Sequence, residues 1–252
     1  MQSASGRYVL AFNGEIYNHQ SMRSALEATG RAPTWRGHSD TEVLLAAVEC
    51  WGVDQMLRRS VGMFAIALWD RRARRLLLAR DRIGEKPLYY GKHDGSWLFA
   101  SELKAIRALC AVEPALDLDA LAQFMQSGYV PAPRSIYSRF SKLPAGHFLW
   151  LDATGPIGAP SPYWSLDSKA QCESILDHER LSETQSLDAV HDCLYTAVGL
   201  QMAADVPLGA FLSGGIDSSL VVSLMQAQSS RPVRTASMVV MSCTMLCLPS
   251  RV

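Results

Sequence analysis

Along the chain, apolar runs of two distinct periods alternate with short polar breaks, and those periods set the first expectations. Residues 7–12 (Arg-Tyr-Val-Leu-Ala-Phe) form a β-rich run that stops at Asn13-Gly14, a pair that favours a two-residue hairpin turn. Residues 21–30 read as a helix, with Ser21 placed to cap its start and Gly30 just past its end. A second helix spans 41–50, entered through Ser39-Asp40 and stopped near Gly52. Two β-type runs, 62–69 and 75–79, flank the polar turn 70–74 and predict a hairpin. Residues 88–90 and 97–100 add strands, and 102–109 and 118–125 add helices. Strands that follow one another directly, with helices grouped in pairs, predict an α+β fold built on an antiparallel sheet.

After Trp150 the pattern changes. Residues 155–162 are rich in glycine and proline, and 167–186 are polar with weak periodicity. The expected organisation is therefore a first domain over 1–154, a linker over 155–186 and a second domain over 187–252. In that second part, 187–203 is helical in pattern and leads into a short strand, a Ser/Gly/Asp loop at 213–219 and an apolar helix from Leu220.

Composition narrows the class. The 252 residues are 48% hydrophobic and 19% charged, which is globular rather than disordered usage. Lys+Arg and Asp+Glu are both 24, so no net field draws the chain to nucleic acid or to an anionic membrane. No apolar run reaches the roughly 20 residues of a membrane span, and the N-terminus lacks a signal-peptide pattern. The expected location is the cytoplasm. Six cysteines (50, 110, 172, 193, 243 and 247) are read as reduced thiols. Cys243 and Cys247 are four apart, but no second pair or nearby histidine completes a zinc site.

Two stretches carry candidate chemistry. In Leu212-Ser-Gly-Gly-Ile-Asp-Ser-Ser219, two glycines let the backbone approach a ligand, and Ser213, Ser218 and Ser219 add hydroxyls. The following helix points its unpaired N–H groups into the same space, which suits a pyrophosphate. The loop lacks the lysine and spacing of the ordinary P-loop. It resembles the SGGxDS loop of ATP pyrophosphatases. The other stretch is Asn13-Gly14-Glu15. The tripeptide by itself favours a turn; the functional reading makes Gly14 N–H and the Asn13 amide an oxyanion hole, with Glu15 accepting an α-ammonium. Asp40 has two equal readings, a helix cap or a second carboxylate for that ammonium. Arg80 and Asp81 read as a pair that fixes a loop.

In order, the chain contains FNGEIYNH, SDTEVLL, GMFAIALWD, LARDRIGEKPLYYG, FASELKAI, GYVPAPRSIY, KLPAGH, YW and LSGGIDSS. This series closely resembles the glutamine-hydrolysing asparagine synthetases over about residues 7–235. The resemblance implies part of an N-terminal-nucleophile αββα sandwich, a class II glutamine amidotransferase, followed by the start of a Rossmann-like α/β PP-loop domain. It implies that Asn13 and Gly14 stabilise the oxyanion formed from glutamine, while Glu15 and Asp40 hold the glutamine amino group. It places Leu212 near adenine, and Ser213, Gly214, Gly215, Asp217, Ser218 and Ser219 around the pyrophosphate of ATP and Mg²⁺. Aspartate is then converted to β-aspartyl-AMP and amidated by ammonia from glutamine; a homodimer is left open.

The family opens Met-Cys-Gly, with the cysteine as nucleophile and base together. Here Met1 is followed by Gln2, so the sequence is expected to be a fragment without that cysteine, inactive as a glutaminase and weak or inactive as a synthetase. Cys50 is not a substitute. Residues 236–252, rich in Met and Cys, are expected to arise from a shifted reading frame. Alternative readings keep the architecture with another acceptor, as in β-lactam-forming or sugar-modifying enzymes, or make the chain a non-catalytic remnant.

Overall fold

The computed structural model describes residues 1–110, 112–166, 181–204, 206–241 and 244–250, with 238–241 and 244–250 described by backbone alone. Two compact units divide the chain, Met1–Ser168 and Lys169–Val252.

The first unit is built on two antiparallel sheets. Strands β1 (Tyr8–Ile16), β2 (Gly62–Asp70), β3 (Arg75–Arg80), β7 (His147–Leu151) and β8 (Pro156–Pro162) form one sheet in the order β1-β2-β3-β7-β8. Strands β4 (Tyr89–His93), β5 (Ser96–Ala100) and β6 (Phe140–Lys142) form the other, in the order β5-β4-β6. Strict alternation along β2 explains the layering. Phe64, Ile66 and Leu68 face one core with helices α1 (His19–Ala28) and α2 (Asp40–Arg59), while Ala65 and Ala67 face a second core with Leu88 and Leu143. The second sheet repeats the pattern. Tyr90 and Trp97 turn inward to the first sheet, and Tyr89 and Leu98 turn outward to α3 (Leu103–Leu109) through Ile106. Helix, sheet, sheet and helix therefore stack as four layers, as expected. Helix α4 (Leu118–Ser127) follows α3 in the same unit.

Several boundaries differ from expectation, each for a local reason. Strand β1 does not stop at Asn13-Gly14; it pairs with β2 in unbroken register from Tyr8↔Asp70 to Ile16↔Gly62. The long apolar partner strand outweighs the turn preference of the dipeptide. Helix α1 starts at His19 rather than being capped by Ser21. The flanking Asn18 gives no side-chain cap because its amide is used elsewhere, donating to Arg59 O and accepting from Val61 N at 2.9 Å each. Helix α2 is capped by Ser39, whose Oγ accepts from Thr41 N. The stop expected near Gly52 is present as a break: its backbone is non-helical (φ 80°, ψ 169°), and a second helical stretch then continues to Arg59. Residues 156–162, placed in the linker by their prolines and glycines, form edge strand β8 on β7, where prolines are tolerated.

In the second unit, α5 (Glu183–Gln201) opens with a capping box in which Ser182 and Gln185 satisfy each other's backbone N–H groups. Strand β9 (Gly209–Phe211), helix α6 (Ile216–Ala227) and strand β10 (Arg234–Met241) follow. β9 and β10 run parallel, Gly209↔Arg234 to Phe211↔Ala236, with α6 as the crossover: the start of a parallel α/β arrangement. The backbone continues through Ala236 without a break and pairs antiparallel with β11 (Thr244–Ser250). Cys172, Cys243 and Asp205 lie outside the described residues.

Candidate functional site

The outer edge of β1 holds the first candidate cluster. Tyr8, Leu10 and Ile16 direct their N–H groups away from β2, to Ser3 Oγ at 3.1 Å, Met1 O at 2.8 Å and Asp40 Oδ2 at 3.0 Å. Arg7 O and Tyr17 N, of the other parity, face β2's side at Arg71 N and Val61 O. Gly14 has the parity of Tyr8, Leu10 and Ile16, so its N–H belongs to the outer edge, where no described residue accepts it. Gly14 is required there. Its φ is 155°, and a Cβ would lie 2.1 Å from Met63 O.

Asn13 is exposed beside it. Its Nδ2 donates to Ser101 Oγ at 3.0 Å, which fixes the amide and leaves its second N–H free. Asn13 and Ser101 line a cavity of about 200 Å³ with Ala11, Ala65, Ala67 and Leu88. Glu15 is half-buried next along the strand, and no described residue pairs with its carboxylate. Asp40, the first residue of α2, reaches the Ile16 N–H one peptide beyond Glu15, and its other oxygen accepts from Thr41 Oγ1. The structure thus gathers Asn13, Gly14, Glu15 and Asp40 at one end of β1. A larger cavity of about 730 Å³ between residues 1–4, 33–37 and α2 includes none of the four. Cys50 lies elsewhere on α2, 3.6 Å from Thr29 Oγ1.

Ser101 is the residue that sequence reasoning passed over. Lying between a strand and a helix, it reads as a cap, and nothing local reveals its partner 88 positions away. Beneath the site, Asp81 and Arg80 fix loops as expected. The buried Asp81 carboxylate accepts from Phe64 N, Glu85 N and Lys86 N, and Arg80 donates to the carbonyls of Gly84, Lys86 and Leu143. Burial pushes the Tyr163 phenol well above its ordinary pKa; its hydroxyl donates to Arg80 O at 2.9 Å.

The second cluster lies in the other unit. Leu212 N donates to Ala236 O, tying the start of the loop to β10. Gly214 sits at φ 80° with open space around it. Ser213 Oγ lies 2.9 Å from Ser218 Oγ, and the Ser218 and Ser219 hydroxyls donate to Gly215 O. Gly215 provides no side-chain cap, so the first N–H groups of the twelve-residue α6 face solvent, an arrangement that fits a phosphate. Asp217 in the first turn is the nearest carboxylate in the loop, in keeping with a magnesium held largely by phosphate oxygens. Among the described residues no three His, Cys, Asp or Glu groups converge on a metal position, and no helix is long and apolar enough to cross a membrane.

Comparison with known proteins agrees with this division. Residues 1–164 match the glutamine amidotransferase domain family, and residues 189–242 match asparagine synthase. That second match runs past Ala236, where the resemblance was expected to end. Glutamine-hydrolyzing asparagine synthetase 1 of Bacillus subtilis is 36% identical over 217 residues, covering 86% of this chain and 32% of its own length. Asparagine synthetase 3 of the same organism is 32% identical over 236 residues, covering 91% and 36%. The chain spans about a third of the length of these curated relatives. Among solved structures, a glutamine phosphoribosylpyrophosphate amidotransferase from B. subtilis aligns at TM-score 0.45 and 16% identity, over 90% of this chain and 46% of that one.

Proposed function

Since the chain belongs to the glutamine amidotransferase domain family, we propose that its first unit handles glutamine within a glutamine-dependent, ATP-using asparagine synthetase. The observation that carries this reading is the open outer edge of β1. There the free Gly14 N–H and the free Asn13 N–H lie next to the carboxylates of Glu15 and Asp40.

The chemistry follows from those groups. Glutamine's side-chain carbonyl oxygen takes the two N–H donors, which are aimed at the charge that grows there when the amide is attacked. Removing one such donor typically costs roughly 10²–10³ in rate. Glu15 and Asp40 accept the α-ammonium, whose charge compensates two carboxylates close together. Ser101 holds the Asn13 amide in the donating orientation.

In the second unit, the backbone N–H groups and hydroxyls of Ser213, Gly214, Gly215, Ser218 and Ser219 bind the phosphates of ATP, with Leu212 beside the adenine. Asp217 would hold Mg²⁺, which neutralises phosphate charge when bound. Aspartate as the acceptor, activated at its side-chain carboxylate and amidated by glutamine-derived ammonia, rests on the asparagine synthase sequence at 189–242. A cytoplasmic location goes with this metabolism.

Glutamine titrated into the chain by calorimetry tests the first half. Saturable binding is expected, weakened at least tenfold by Glu15→Gln or Asp40→Asn; binding unaltered in both variants would sink the assignment. For the second half, millimolar ATP with Mg²⁺ raises the unfolding temperature of the second unit, and no shift removes the nucleotide reading.

A further inference from the structure

A third cavity lies on the opposite, outward face of the small sheet, between α4, the 128–136 loop and strands β4 and β6. Its volume is about 560 Å³, within the range of small-molecule sites. Its walls are apolar and aromatic: Tyr89, Leu121, Phe124, Tyr129 and Ile136. One charged group enters it, the ammonium of Lys142.

The cavity is preformed. Gly128 ends α4 in the left-handed conformation (φ 75°), turning the chain so that Tyr129 and Val130 become a wall. Lys142 N donates to Pro133 O at 2.8 Å, and Arg134 pairs with Asp117 and Asp119, so the loop is tied to both β6 and α4.

Among the described residues the ammonium has no counter-ion. Lys142 Nζ donates to Val130 O and lies 5.9 Å from the Tyr89 ring centroid, but no described carboxylate is within ion-pair distance. Asp117 and Asp119 are engaged by Arg134, and Asp81 by three backbone N–H groups. Arg80, the neighbouring cation, gives its donors to carbonyl oxygens only. Burial and the charge of Arg80 together hold the Lys142 pKa below its ordinary value, the mark of a cation lacking an anion. An ammonium has three donors, so two remain beyond the Val130 contact.

We propose that this cavity binds a small amphiphilic monocarboxylate, its carboxylate on Lys142 and its aromatic or branched aliphatic body among Leu121, Phe124, Tyr129 and Ile136. This site is separate from the β1 edge and does not depend on how glutamine binds. Calorimetric titration of the whole chain with 4-phenylbutyrate, against the uncharged 4-phenylbutanol, tests it. The acid is expected to bind one-to-one and at least tenfold more tightly than the alcohol. Lys142→Met should remove that preference while leaving the alcohol unchanged, and Phe124→Ala, at an exposed wall, should weaken both. Equal binding of acid and alcohol, unaltered acid binding in Lys142→Met, or no saturable binding of the acid overturns the proposal. Should Lys142→Met fail to fold, the acid–alcohol comparison on the unmodified chain decides alone.

Discussion

Gly14 shows how much a single position can determine. A methyl group there meets the Met63 carbonyl oxygen at 2.1 Å, so Gly14→Ala must push the edge strand β1 away from β2. The expected cost is about 3 kcal/mol, read as a fall of roughly 6–12 °C in the unfolding temperature of the first unit. Ser101 is subtler. Ser101→Ala leaves the fold intact but frees the exposed Asn13 amide to rotate, and the lost hydrogen bond is worth about 1 kcal/mol. Glutamine binding should weaken by roughly fivefold without a change in unfolding temperature. Unaltered affinity would show that Ser101 does not orient the amide. In both cases the residue type was visible in the sequence, but the atom it meets was not.

At the scale of elements, the β1–β2 ladder is locked at its far end by Arg7 and Asp70. The guanidinium gives Asp70 two hydrogen bonds, at 3.1 and 2.7 Å, and Arg72 and Ala73 add backbone N–H groups. The Arg7 hydrogen bonds, against the opposing effect of burial, bring the buried Asp70 carboxyl down to about 2. A depressed carboxyl contributes stability above its unfolded pKa, here 3.8, and loses it as pH falls toward 2. Asp70→Asn should therefore cost roughly 1–2 kcal/mol at neutral pH, discounted because Arg7 is partly exposed. Urea midpoints of the two proteins should converge between about pH 4 and pH 2; a constant gap across that window would exclude the linkage. Helix α2 teaches a related lesson. The expected stop at Gly52 is there as a break, its backbone being non-helical (φ 80°, ψ 169°), and a second helical stretch anchored by the buried Met56 and Leu57 runs on to Arg59.

For the whole molecule, the distribution of buried side chains separates the two units. Among the described residues, the three hydrophobic clusters draw their buried side chains from Tyr8 to Tyr163, inside the first unit. In the second unit, Leu224, Met225 and Thr235 are the buried residues among those whose side chains are described, and α5 buries none. A small core gives marginal stability. Heating should therefore give two transitions, the lower one belonging to residues 169–252. A recombinant 1–168 segment should retain the upper transition within a few degrees. A single cooperative transition lost on removing residues 169–252 would contradict that division.

The sequence alone determined the α+β class, the order of most strands and helices and the family, and it singled out both clusters as candidates. Those rest on local periodicity and on the order of short motifs, which survive without knowledge of what lies opposite. The tertiary structure decided what depends on a distant partner. It ran β1 through the Asn-Gly pair, because nine residues of ladder outweigh a turn preference. It gave the cap of α2 to Ser39 and turned Asp40 toward Ile16 N, and it supplied Ser101 to Asn13 across 88 positions. It also left the Lys142 ammonium at an apolar cavity with no anion among the described residues, a pairing no linear pattern encodes. Periodicity reports which face of an element is apolar; only packing reports which polar atom on it remains unmatched.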